Sequence, residues 1–342
     1  MIKKTNRLML ALIIWIIPAG LLAYNLSIIL SASTGLSLFI YQLLAFGIPC
    51  LIVCVIKRKN LSELFPTKTL GLKNISMIAG MALLIQPLLM FISTLTTQFL
   101  PNQTSEMMTN MTLESNFILV LFFIAVVPSV FEELLFRGII FSGYKNVPIV
   151  KIAIINGILF GIIHLNLHQF LYAVVVGFIL CFFVYYTKSI IAPILAHFVI
   201  NGTQITFHFW QVNTANDADP VVGSDLIISF IIIGIIALIT FALFMLIYKH
   251  FKRHNIARSK NSLPDVEEIT TSDLLARKNK LITVPLYIVF VLFGFFAFFG
   301  LQPAQPQNYN VVTSAYESNI HNDGRCTCFW IFCFCPDCNC ED

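Results

Sequence analysis

The chain has 342 residues, of which 58% are hydrophobic and 11% charged, with a formal net charge of +4 and a mean hydropathy of +0.84. A soluble globular domain carries roughly 25% charged residues, so this composition excludes water as the main solvent of the fold and points to lipid. No basic stripe interleaved with aromatics is present outside the clusters that flank apolar stretches, which argues against nucleic acid and leaves membrane lipid and membrane-associated peptides or proteins as the expected partners.

A helix needs about 20 apolar residues to cross a hydrocarbon core about 30 Å thick. Nine stretches qualify as predicted spans: 8–30, 35–56, 75–99, 117–140, 150–165, 170–186, 190–210, 226–248 and 281–301. None shows the short alternating pattern of barrel strands, so the expected fold is an all-α polytopic transmembrane helix bundle. The first stretch follows Lys3, Lys4 and Arg7 in the manner of a signal peptide. Its apolar run exceeds the roughly 7 to 15 residues of such a segment, and it reads as a retained helix.

Basic residues gather in alternate joins, at Lys57 to Lys59, Lys145 and Lys151, Lys188, and Lys249 to Lys260. The positive-inside rule makes these loops cytoplasmic, with the N-terminus inside and the C-terminal tail outside the cell membrane. The predicted organisation is a three-span region (1–115), a four-span core (116–210), a two-span region (211–301) and a cysteine-rich tail (302–342). Residues 255–280 read as an exposed linker or short surface helix with no assigned chemistry.

Ionisable groups inside spans are costly and rare, and here they fall in three successive stretches or their joins. Glu132 and Glu133 are followed by Arg137 near the end of the fourth. Glu133 and Arg137 are four apart and pair on one helix face, whereas Glu132 is rotated about 100° away and left free. The fifth stretch carries Asn156, Phe160 and His164 at four-residue spacing, beside Gly157 and Gly161, which permit close helix approach. The seventh carries His197 and Asn201, again four apart. A rise of about 1.5 Å per residue puts Glu132, His164 and His197 near the bilayer centre.

A carboxylate in low dielectric is a competent general base toward water, and a neighbouring imidazole can orient that water or bind a metal. His197 and Asn201 offer donors for an oxyanion that develops on an attacked carbonyl. No Ser or Cys in these spans has a His and an acid at suggestive spacing, which disfavours an acyl-enzyme. Blander readings stand beside these: Glu133 with Arg137 as a structural ion pair, Phe160 as a pocket wall, and His168 as an interfacial histidine. The whole set also fits a proton relay in a transporter.

Glu-Glu-x-x-x-Arg at 132–137, Phe-x-x-x-His at 160–164 and His-x-x-x-Asn at 197–201 stand in order on successive membrane segments. Together they resemble the three motifs of the CAAX protease and bacteriocin-processing (CPBP) family of intramembrane endopeptidases, over roughly residues 117–210. The resemblance implies that Glu132 is the catalytic base, that His164 positions the water, and that His197 and Asn201 form the oxyanion site. It implies that Glu133 and Arg137 hold the geometry, and that the substrate is a prenylated CAAX protein or a leader-type peptide. Members are often described as metalloproteases, which makes zinc a candidate cofactor with Glu132, His164 and His197 as candidate ligands. Glu-Glu-x-x-x-Arg is not the His-Glu-x-x-His zinc signature, so the metal stays open. Noncatalytic relatives acting as immunity or scaffold proteins are the remaining alternative.

Of nine cysteines, Cys50, Cys54 and Cys181 fall in spans and are expected to pack as small apolar residues. Cys326, Cys328, Cys333, Cys335, Cys338 and Cys340 crowd the tail. An external tail favours disulfides, a cytoplasmic one favours a soft-metal thiolate cluster, and an appended interaction segment is the third reading.

Overall fold

The computed structural model describes residues 2–58, 61–100, 102–144, 147–214, 224–260 and 281–300. The tail and most of the predicted linker lie outside the described residues. The chain is an all-α polytopic membrane bundle. We label its helices α1 (Ile2–Ile29), α2 (Thr34–Ile56), α3 (Leu72–Thr97), α4 (Gln103–Glu114), α5 (Phe117–Ile140), α6 (Ile149–Ile163), α7 (Leu167–Thr187), α8 (Ile191–Thr214), α9 (Ser224–Lys260) and α10 (Val284–Gly300).

A helix covers each of the nine apolar stretches, but among the described residues six are long and apolar enough to cross a membrane: α1, α2, α3, α5, α7 and α9. The apolar helices α6 and α10 are shorter. Helix α8 spans 24 residues, but Asn201, Thr203, Gln204 and Thr206 dilute its apolar character. Isoleucine, leucine and phenylalanine stand open on the bundle's outside, with Ile227, Ile231, Leu238 and Leu246 each more than half exposed along α9. Such a belt is unstable against water and natural against lipid.

Hydrogen bonds define the two ends of the bundle. At one, Asn6 donates to Leu281 O and Thr283 Oγ1 and accepts from Tyr144 Oη, while Arg258 donates to the carbonyls of Thr69 and Leu70. At the other, Thr34 Oγ1 donates to Glu114, Gln169 Nε2 donates to Thr104, and Thr109 meets His208. The first end gathers the chain's basic joins.

Two elements differ from the sequence expectation. The join at 101–115 contains the helix α4, started by Asn102, whose side chain accepts from Ser105 N–H. Of the stretch read as an exposed linker or short surface helix, residues 255–260 are helical as the last turns of α9, and Asn255 is buried there rather than exposed, exchanging two hydrogen bonds with Asn74 at 2.9 and 3.0 Å. A buried amide is satisfied by another amide of matching donor and acceptor, which draws α9 onto α3.

Three stretches wind as π-helix: Leu43–Gly47 in α2, and Phe122–Val126 and Leu134–Ile140 in α5. Pro49 and Pro128 follow the first two and cannot donate to the carbonyls behind them. Side chains from other helices fill the gaps. Trp15 Nε1 reaches Leu44 O at 3.0 Å, Asn201 Nδ2 reaches Ile124 O at 3.1 Å, and Asn156 Nδ2 reaches Phe136 O at 3.2 Å. Widened turns thus tie α5 to α6 and α8, where the polar residues lie.

Helices α6 and α7 meet through glycine. A Cβ on Gly157 would stand 2.8 Å from Val174 O and 2.9 Å from Phe178 N, both backbone atoms that cannot yield. We expect Gly157→Ala to cost about 1–3 kcal/mol by overpacking. Gly80→Ala, where nothing lies within 4 Å, should instead gain about 0.5–1 kcal/mol from better helix propensity. Unfolding in detergent checks both; equal effects would refute the close-approach reading.

Candidate active site

Helix α5 supplies Glu132 and Glu133 as consecutive residues of one turn, so their side chains leave in different directions. Both are buried, at 4% and 0% exposure. Glu133 Oε1 accepts from Arg137 Nη1 at 2.6 Å and from His197 Nδ1 at 2.9 Å. The pairing read from four-residue spacing is therefore present, with α8 joining it.

Arg137 is held on three sides. Its Nη2 donates to Gly177 O at 3.0 Å, and its guanidinium carbon lies 4.4 Å from the centroid of the Phe160 ring. Gly177 lacks a side chain where α7 passes α6, which opens its carbonyl to Arg137. A fully buried ion pair loses its water on folding, and these added bonds offset that loss. Phe160, at 2% exposure, also meets the rings of Phe136, His164 and His197 edge-on at 5.1, 5.0 and 5.8 Å. It is a wall of the cavity and a packing centre for the charged cluster.

His197 has both ring nitrogens engaged. Nδ1 faces the Glu133 carboxylate, so that nitrogen carries the proton, and Nε2 accepts from Asn201 Nδ2 at 3.2 Å. The remaining Asn201 N–H goes to Ile124 O, which fixes the amide's orientation. His164 ends α6, with its Nδ1 2.7 Å from Phe160 O. Donation there leaves Nε2 with a lone pair.

Glu132, Phe160, His164, His197 and Asn201 line one cavity of about 120 Å³. Glu133 and Arg137 stand behind its wall. Glu132 is not left free as the spacing suggested: Oε1 accepts from Gln42 Nε2 at 2.9 Å, across 90 residues of sequence. Gln42 was missed in the sequence reading, although a lone Gln in an apolar span is itself a signal. Leu38, Phe46, Met107 and Met108 add apolar lining, and Tyr172, Gln169 and Gln204 add polar lining. His168 is elsewhere, buried with Nε2 2.9 Å from Thr97 Oγ1.

Among the described residues no three His, Cys, Asp or Glu side chains converge as ligands for a metal. With both nitrogens of His197 occupied, Glu132 and His164 remain as donors facing the cavity. This arrangement does not fit a three-ligand zinc site, and no step below is routed through a metal. Cys50, Cys54 and Cys181 are free thiols, Cys50 and Cys181 buried and Cys54 half-buried.

Residues 114–203 match the family described as type II CAAX prenyl endopeptidase Rce1-like. Over 78 residues the chain is 35% identical to the Bacillus subtilis (strain 168) protein named "Putative membrane peptidase YdiL". That match covers 22% of this chain and 32% of the relative, so the chain spans about a third of the curated relative's length in the match. No solved structure matches. A CAAX protease/Rce1-like (CPBP) family domain is thus matched over the stretch that holds Glu132, Glu133, Arg137, Phe160, His164, His197 and Asn201.

Proposed function

We propose that the chain is an intramembrane endopeptidase that hydrolyses a peptide bond of a CAAX-type lipidated protein or a leader-type peptide, using water activated by Glu132. The observation that carries this reading is that Glu132 and His164 open on the same buried cavity as His197 and Asn201, within the segment matched by the family.

Gln42 holds one oxygen of Glu132, and the other takes a proton from water. His164 Nε2 holds that water through its remaining hydrogen. The hydroxide adds to the scissile carbonyl carbon, whose oxygen becomes an oxyanion. Asn201 supplies the donor: its longer bond, 3.2 Å to His197 Nε2, is released while the bond to Ile124 O keeps the amide in place. Glu132 then passes its proton to the leaving amine, so substrate plus one water gives one acid and one amine. Glu133 and Arg137 hold His197, and through it Asn201.

The basic end of the bundle faces the cytoplasm in this account, as the positive-inside rule requires. The proposed steps use Glu132, His164 and Asn201 without calling on zinc, and metal analysis of the purified protein should find none in stoichiometric amount. Gln42→Leu should lower kcat by about 10- to 100-fold, since a hydrogen bond to a charged group contributes about 1.5–3 kcal/mol. KM should hold while the melting temperature falls with the loss of the buried bond, and a change in KM alone would assign Gln42 to substrate binding instead.

The test of the function is incubation of the purified protein in detergent with farnesylated CAAX peptides and with leader-type peptides, followed by mass spectrometry. Fragment pairs whose masses sum to substrate plus water are expected from one of the two classes. Absence of products from both would overturn the proposal.

A further inference from the structure

At the basic end of the bundle, far from the cavity that holds Glu132, three cations from three separate elements border a second hollow of about 340 Å³. They are Lys68 in the segment before α3, Lys188 in the turn between α7 and α8, and Arg258 in the last turns of α9; Thr69 and Ser259 add hydroxyls. Among the described residues no carboxylate lines it.

The backbone forces the two lysines together. Thr67 and Ser189 form an antiparallel bridge, Lys68 N–H donates to Lys188 O at 3.1 Å, and Ile190 N–H donates to Pro66 O at 2.7 Å. Lys188 itself sits in the left-handed region, at φ 53°, with its ammonium 4.3 Å from the Tyr185 ring centroid. No ion pair among the described residues joins either lysine. Both lysine side chains are exposed at the rim of the hollow, and partial desolvation there, and then the neighbouring Lys68, push the Lys188 ammonium below the usual lysine range. Like charges held side by side without a counterion repel, and an anion bound between them removes the penalty.

The wall opposite is fixed. Arg258 donates to Thr69 O at 2.8 Å and Leu70 O at 2.9 Å, and the Asn74–Asn255 pair anchors the same turn of α9. The position suits a lipid headgroup. Helix α9 has 37 residues, about 55 Å at 1.5 Å per residue, so its basic last turns extend beyond a hydrocarbon core of about 30 Å.

We propose that Lys68, Lys188 and Arg258 form a binding site for a phosphate group, carried by an anionic phospholipid headgroup at the basic face of the bundle. Each lysine near a membrane surface contributes about 1 kcal/mol toward an anionic lipid, so removing two should weaken retention about tenfold or more.

The test places the full chain in bilayer discs of equal phosphatidylglycerol and phosphatidylcholine, extracts it into detergent, and measures the phospholipid that stays bound by mass spectrometry. The wild type should retain phosphatidylglycerol preferentially. Lys68→Gln with Lys188→Gln should lose that preference, while Lys57→Gln with Lys73→Gln, the same charge change on exposed lysines outside the hollow, should keep it. Melting temperatures of all three show whether a loss is one of folding. Displacement of the lipid by millimolar inorganic phosphate would assign the site to soluble phosphate groups; resistance to phosphate would assign it to the intact headgroup. Equal retention by both double variants, or equal loss, overturns the proposal.

Discussion

Glu132→Gln should lower kcat by about 10² to 10⁴, the usual contribution of a positioned general base. The substitution is nearly isosteric and its oxygen still accepts from Gln42, so the bundle and the cavity should survive it unchanged. What it removes is the capacity to take a proton from water. KM should stay within a factor of about two, because an amide in place of a carboxylate alters the transition state more than the ground state. Steady-state cleavage by both proteins at matched melting temperature is the measurement, and equal rates would reject Glu132 as base.

Arg137→Met should cost about 3–5 kcal/mol of stability, because it leaves the Glu133 carboxylate buried without its cation. The loss is large here since Arg137 also supports Gly177 O and the Phe160 ring. Replacing both partners, Arg137→Met with Glu133→Leu, should recover much of that stability, as apolar substitutes for buried ion pairs often do. It should not recover activity, because His197 Nδ1 loses the acceptor that sets its tautomer. Unfolding in detergent and cleavage assays separate these effects; a double variant no more stable than Arg137→Met would show that the pair does not carry the stability.

The parts of this architecture that were legible in the sequence depend on spacing within one helix. Lipid demands long apolar runs, and each run proved helical. Four-residue intervals place Glu133 beside Arg137 and His197 beside Asn201, and both contacts are present. Small residues at 157 and 161 mark a close helix approach because nothing larger fits.

Contacts between helices were not legible, since no local period encodes them. Gln42 reaches Glu132 from a span 90 residues earlier, and Glu133 takes His197 as well as Arg137. The resemblance implies an oxyanion role for His197 and Asn201, but four-residue spacing does not show where their N–H groups point. In the structure the His197 N–H rests on Glu133, and the two N–H groups of Asn201 rest on Ile124 O and His197 Nε2; the Ile124 carbonyl is open to Asn201 because Pro128 lacks an N–H and the turn before it is widened. Prolines inside apolar spans were the available signal, for each marks carbonyls that another helix must satisfy. The last turns of α9 read in sequence as an exposed linker or short surface helix; they are helical, but Asn255 finds Asn74 and Arg258 finds two backbone carbonyls, which no local spacing encodes.

The central claim, that water held by Glu132 and His164 attacks the peptide bond directly, is tested by single-turnover cleavage of a farnesylated CAAX or leader-type peptide in ¹⁸O-labelled water, with enzyme and products weighed at successive times. The account predicts one ¹⁸O atom in the newly formed carboxylate and no gain in the mass of the protein at any time. A protein heavier by an acyl fragment during turnover would contradict it.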